Sequence, residues 1–146
     1  MNHSIANRPD ARTTAPAAEN PDLRSRIPFT RACSLYPFIS LLEEIGAPTE
    51  RLLSQSQVRT DLLENPEGLV PLHFAHRFVE LASRREGIEN MGMLAAEKII
   101  SFEMGHFGQK LQRALTVHEY LQTGIRLIGS ITSGCRFWLE YEGNQV

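Results

Sequence analysis

The sequence has little of the material from which recognisable chemistries are built. Its two cysteines, Cys33 and Cys135, fall in different expected elements without metal-ligand spacing. That excludes a disulfide framework and a zinc-cysteine centre, and implies free thiols in a reducing, cytoplasmic setting. No apolar run approaches the roughly 20 residues of a membrane span, and Met1 to Ala18 lacks the apolar stretch of a signal peptide. Charge of one sign is lacking too: the net charge is −2, and the part beyond Arg31 is mildly acidic, which argues against a DNA-binding surface there. Also missing are a Gly-rich phosphate loop, a nucleophile elbow and an internal repeat. No cofactor is expected.

What is present is a chain of 146 residues, 42% hydrophobic, enough for one modest domain with a real core. Residues 1–28 are rich in Ala, Pro, Asn, Arg and Thr with almost no large apolar side chains, the composition of a disordered tail. Residues 29–146 form the expected domain. Leu35, Phe38, Ile39, Leu42 and Ile45 trace an amphipathic helix stopped by Gly46 and Pro48. Thr49 is expected to cap a short second helix, and a turn around Asp61 to Leu63 ends at Asn65-Pro66-Glu67-Gly68. The strongest pattern starts with Pro71 in a helical first turn and runs through Phe74, Ala75, Phe78, Val79, Leu81 and Ala82 to Gly87. Asn90 opens a further helix with Met91, Leu94, Ala95 and Ile99 on one side.

The segment 101–108 reads as an apolar loop, followed by a short helix with Leu111, Ala114 and Leu115. Thr116-x-x-Glu119 is a capping box, with Leu115 and Tyr120 placed to form a hydrophobic staple. Val117, Tyr120, Leu121, Gly124, Ile125, Ile128 and Ile131 then share a helical face. Gly124 costs about 1 kcal/mol relative to Ala in a helix interior, so it marks contact with another element. From Cys135 to Glu142 apolar and polar residues alternate as in a half-buried strand. A lone strand leaves its backbone groups without partners, so the expectation is a strand whose neighbours lie beyond Val146. The fold class implied is α+β: a mostly helical N-terminal part followed by the first strand or strands of an incomplete antiparallel sheet.

The order of segments carries a resemblance. An Asn90-Met91-Gly92-Met93-Leu94-Ala95-Ala96-Glu97 helix precedes a Phe102-x-x-Gly105-His106-Phe107-Gly108 loop. A helix ending in Ala114-Leu115-Thr116-Val117-x-Glu119 comes next, then a long helix and a strand closing on Leu139-x-x-Glu142-Gly143. From about Arg31 onward this resembles the N-terminal arabinose-binding-type effector-sensing domain of AraC-type transcription regulators, in the subgroup similar to the ornithine-utilisation regulator. The chain departs from that subgroup at His106, where an acidic or small polar residue is more usual, and at Gln109-Lys110-Leu111, where a second Gly is usual. The resemblance implies a partial effector-sensing or oligomerisation domain, truncated before a C-terminal helix-turn-helix part that binds DNA. DNA would then be reached only through a domain absent from this chain.

Effector-pocket candidates are Phe102, His106, Phe107 and Phe137: a polar imidazole among aromatics suits an oriented small ligand. The plainer alternative is that the aromatics only pack and a backbone carbonyl or water satisfies His106. His73, His76 and Glu80 share a helix side, but a pair spaced i, i+3 without a third strong ligand reads as a solvated face rather than a metal site. Cys135 is expected as a small buried hydrophobe. Three functions are compatible with these residues. The first is a non-enzymatic regulatory module that self-associates and takes a small-molecule effector, with no membrane partner. The second is a small stand-alone DNA-binding protein using the helices around Gly46, though its second helix carries only Arg51 as a base. The third, an enzyme, finds neither a nucleophile–base pair nor a metal set.

Overall fold

In the computed structural model the described residues are 27–99 and 104–140. The expected tail therefore lies outside them, apart from Ile27 and Pro28, as does Phe102. The fold is α+β, mostly helical with a two-stranded antiparallel sheet. Strand β1 (Phe29–Arg31) and a 3-10 turn (Ala32–Leu35) lead into α1 (Tyr36–Glu44) and α2 (Thr49–Gln55). A second 3-10 turn (Thr60–Glu64) and β2 (Leu69–Pro71) lead into α3 (Leu72–Glu86) and α4 (Met91–Glu97). Last come α5 (Gly105–Leu111) and α6 (Val117–Ile131). None of the described helices is long and apolar enough to cross a membrane.

The core gathers the inner faces of α1 to α4. Leu42, Leu52, Val70, Phe78 and Met91 are fully buried in it, as the helical periodicities require. Gly46 ends α1 at φ 73°, and the Ala47 N–H reaches back to the Leu42 carbonyl at 2.9 Å. Gly87 ends α3 at φ 67°, with the Ile88 N–H on the Ser83 carbonyl at 2.9 Å. Both are left-handed caps that a side chain with a Cβ disfavours. Three local expectations change. Ile45 is half exposed beyond its stripe, because the chain has already turned. Pro48 rather than Thr49 flanks α2, and the Thr49 hydroxyl donates to the Ala47 carbonyl at 3.3 Å. Pro71 closes β2 opposite Phe29, and α3 begins one residue later. Its backbone (φ −55°, ψ 129°) is extended, and with no N–H it suits the end of a strand.

The larger corrections fall in the C-terminal third. α5 covers residues 105–111, so it takes in 105–108, where a loop was expected, and of the short helix expected next it keeps Leu111 while Ala114 and Leu115 lie past its end. The cause is remote in sequence. Gly105 turns the chain at φ 59°, and a Glu67 carboxylate oxygen accepts the His106 N–H at 3.0 Å, satisfying one of the orphan donors of the first turn. The capping box of α6 forms: Thr116 Oγ1 accepts the Glu119 N–H at 3.1 Å. The Glu119 carboxylate returns to the Leu115 N–H at 2.9 Å, one residue before the usual target. The staple does not form, for Leu115 is 91% exposed.

After α6 the chain returns to β1. Thr132 bridges Thr30, the Ser133 N–H donates to the Phe29 carbonyl at 3.0 Å, and the Phe29 N–H donates to Ser133 Oγ at 2.9 Å. The strand expected from Cys135 onward is absent over residues 135–140, and 141–146 lie outside the described residues. β1 is only three residues long, so it pairs with Thr132 and Ser133 and leaves no ladder for residues 135–140. The strand partners of this α+β fold are thus β1 and β2, far upstream of the run that the alternation suggests.

Two substitutions in α6 have opposite expected effects. Thr116→Ala removes the cap and lowers stability by about 1 kcal/mol. At Gly124 an added Cβ would meet Leu111 Cδ2 at 3.7 Å, ordinary contact, so Gly124→Ala raises stability by about 0.5–1 kcal/mol. Urea denaturation of both variants checks the pair. A loss of stability in Gly124→Ala would show that α5 and α6 pack closer than this geometry allows.

Candidate functional site

Two concavities stand out: one lies along the C-terminal hairpin of α5 and α6, and the other reaches only the end of α6. The first is an open apolar groove of about 360 Å³. Phe107 and Leu111 come from α5, Tyr120, Leu121, Gly124, Ile125 and Ile128 from α6, and Phe137 and Trp138 from the extended segment after it. It exists because α6 is apolar along one whole side while α5 spans only seven residues and covers part of it. Val117 is 77% exposed and Trp138 72%, whereas only Ile131 of α6 is buried.

The second is a cleft of about 510 Å³ between β1, α1, α3, the start of α4 and the end of α6. Leu35, Phe38, Ala75, Val79, Met91 and Ile131 make its walls. Thr30, Ser34, Ser83 and Thr132 bring hydroxyls to it, and His76, Glu80 and Glu89 bring ionisable groups. Ser34 Oγ donates to the Arg31 carbonyl at 2.7 Å, so its contact with Thr30 Oγ1 at 2.9 Å is donated by Thr30. Ser83 Oγ likewise donates to the Ile88 carbonyl at 2.6 Å. The hydroxyl protons of Thr30, Ser34 and Ser83 are therefore committed, and their lone pairs remain for a ligand's donors, while Thr132 Oγ1 accepts from the Gly134 N–H at 3.5 Å. Apolar walls with a few converging polar groups are the usual form of a small-molecule site.

Of the four effector candidates from the sequence, Phe102 lies outside the described residues, and the other three do not all line one concavity. Phe107 and Phe137 meet in the groove; His106 is exposed on α5 and does not line it. The bond at position 106 is made by the backbone N–H to Glu67. The cleft residues carry no linear signal, because Thr30 and Thr132 are about a hundred residues apart and meet only through the bridge to β1. His73, His76 and Glu80 also separate in role. The His73 ring lies against Phe74 with centroids 4.0 Å apart, Glu80 pairs with Arg84 at 2.7 Å, and His76 lines the cleft. Among the described residues no group of three or more His, Cys, Asp or Glu side chains could hold a metal ion. The exposed side chains of α2 are Glu50, Arg51 and Ser54.

The two thiols differ sharply. Cys33 is buried, and burial first, then the nearby Glu67 charge, pushes its thiol up to about 11. Cys135, expected to be buried, is exposed at the edge of the cleft, since the segment that carries it leaves the sheet. No protein-family model matches the chain, and no curated protein matches it.

One equivalent of thiol should react quickly with a disulfide reagent in the folded chain, at Cys135, and the second only on unfolding. The raised thiol also sets a pH dependence. Folded Cys33 keeps its proton between about pH 9 and 11 while the unfolded chain gives it up, so stability is complete below pH 9 and falls through that window. The loss is on the order of 2 kcal/mol and absent in Cys33→Ala. Two fast thiols, or an unchanged pH profile in Cys33→Ala, would contradict the burial of Cys33.

Proposed function

We propose that the chain is a regulatory module, the effector-sensing and self-association part of an AraC-type transcription regulator, with DNA binding supplied by a separate helix-turn-helix domain. The segment order from Asn90 to Glu119 supports this reading. The observation that carries it is the position of the cleft. One wall is the end of α6, at Ile131 and Thr132, and the other walls belong to the helical core. A ligand seated there touches both parts at once, so its affinity depends on how the α5–α6 hairpin sits. By linkage, occupancy biases that position and with it the apolar groove between α5 and α6. The ligand that suits these walls is small, with an apolar body and hydrogen-bond donors directed at Thr30, Ser83 and Glu89. In this reading Phe107 and Phe137 serve association rather than effector binding. Covering exposed Val117 and Leu121 stabilises an assembly by about 1.5–3 kcal/mol each when burial is complete.

The test is a thermal-shift screen of small amines, amino acids and polyols. A ligand at a hundredfold excess over its Kd adds about 2.7 kcal/mol, which raises Tm by roughly 5–10 °C in a domain this size. The same ligand is expected to slow modification of Cys135, which borders the cleft, and to lose its effect in Thr30→Val. Stabilisation that leaves Cys135 equally reactive would place the ligand elsewhere, and a screen with no stabilising compound would count against sensing.

A further inference from the structure

The α5–α6 hairpin and the segment after it bring exposed rings next to a group of cations. Residues 104–140 hold four Lys and Arg against two Glu. A trough of about 620 Å³ is shared by α6 and that segment, with Phe137 and Trp138 on one part of its wall and Gln122, Thr123 and Arg126 on another. A depression of about 530 Å³ adjoins it, since Glu119, Thr123 and Arg126 line both, and there Lys110 and Arg113 join Arg126. None of these three cations is in an ion pair among the described residues. The carboxylate beside them, Glu119, is committed to the cap of α6, where it accepts the Leu115 N–H at 2.9 Å.

Trp138, the chain's one tryptophan, is largely exposed, and its indole N–H donates to the Glu140 carboxylate at 3.1 Å. Tied at its edge, the ring keeps its π surface for a flat partner. Exposed aromatic rings beside Arg and Lys are the pairing that holds nucleotides: bases stack on the rings and phosphates bond to the cations. Groups that can meet a base edge stand in the same trough, because the Gln122 amide and the Thr123 hydroxyl each donate and accept. Three cations suit a phosphate monoester, with about −1.5 to −2 charges at pH 7, better than a single carboxylate. The rings lie in the trough while Lys110 and Arg113 lie in the depression. A ligand that meets both therefore needs a spacer between ring and anion, as a ribose joins base to phosphate.

We propose that the trough and the depression together bind a nucleoside phosphate, its base stacked on Trp138 and its phosphate held by Lys110, Arg113 and Arg126. Stacking supplies affinity for a flat base, and the cations supply the preference for the phosphorylated form. No residue that lines this site lines the cleft of β1, α1, α3 and α4, so the two sites are separate. The inference goes beyond the sensing role given to that cleft and does not depend on it.

Tryptophan fluorescence of the full chain reports Trp138 alone and tests the site. Adenosine monophosphate is expected to quench it saturably, and adenosine to do so with about tenfold lower affinity. Raising salt to about 0.5 M should weaken the monophosphate and leave adenosine unaffected. Arg113→Gln with Arg126→Gln, both at exposed positions, is expected to bring the monophosphate down to the affinity of adenosine with an unchanged circular dichroism spectrum. Trp138→Leu, followed by calorimetry because the fluorophore is gone, should lose about tenfold or more, while Trp138→Tyr keeps most of the affinity. The cleft variant Thr30→Val should bind the monophosphate as the wild type does; a loss there would move the nucleotide into the cleft and overturn the site. Quenching that stays linear up to about 5 mM would overturn it too, as would equal affinities for adenosine and its monophosphate. Phenylacetate binding as tightly as the monophosphate would contradict the need for a spacer and a phosphate.

Discussion

Arg31 and Glu67 stand where four separated pieces of the chain meet. The Arg31 guanidinium donates to the Glu67 carbonyl at 2.6 Å and to the Ser130 carbonyl, near the end of α6, at 3.0 Å. Its Nε also lies 3.6 Å from the Glu67 carboxylate, whose other oxygen takes the first-turn N–H of α5. One pair of side chains thus binds β1, the turn before β2, the start of α5 and the end of α6. Gly105 suits this place: its φ of 59° is one that side chains rarely adopt, and a Cβ there would push the Glu67 carboxylate aside. Both side chains are about a third exposed, so the junction is not sealed in the core. Charge-assisted bonds of this kind contribute about 1.5–3 kcal/mol each when well placed, less where water competes.

The consequence is an uneven molecule. Residues 29–97 share a continuous core, and their mutual packing holds α1 to α4. The α5–α6 hairpin joins that core through Ile131, the Thr30–Thr132 bridge, the Ser133–Phe29 bonds and the Arg31–Glu67 junction. The rest of its apolar side lines the groove. An element with few buried apolar contacts and a polar hinge sits at the low end of local stability, where functional motion is found. The cleft reaches the end of α6 and the groove runs along the rest of the hairpin, so both border the element that this hinge holds.

How far all this is legible in the sequence depends on the range of the interactions. Helix stops at Gly46 and Gly87, the core of α1 to α4 and the Thr116 cap are local, and their residues announce them within a few positions. The start of α5 is not local: the residue that caps it, Glu67, is 39 positions away. The alternation from Cys135 to Glu142 is a true period-2 pattern that lacks a strand partner over its described part, because a pattern specifies a face and not a neighbour. Phe107 and Phe137 stand out as aromatics, and they do meet. Thr30, Ser34 and Thr132 escape a linear reading, since hydroxyl residues at such separations become a site only once β1 and the end of α6 are paired.

Amide hydrogen exchange of Arg31→Met against the wild type measures the junction directly. With the aliphatic stem kept and the guanidinium lost, exchange across 105–131 should quicken roughly tenfold to a hundredfold, the factor that about 1.4–2.7 kcal/mol implies, while α1 and α3 keep their protection. Equal acceleration in both regions, or none in the hairpin, would contradict the view that Arg31 and Glu67 hold a separately movable hairpin to the core.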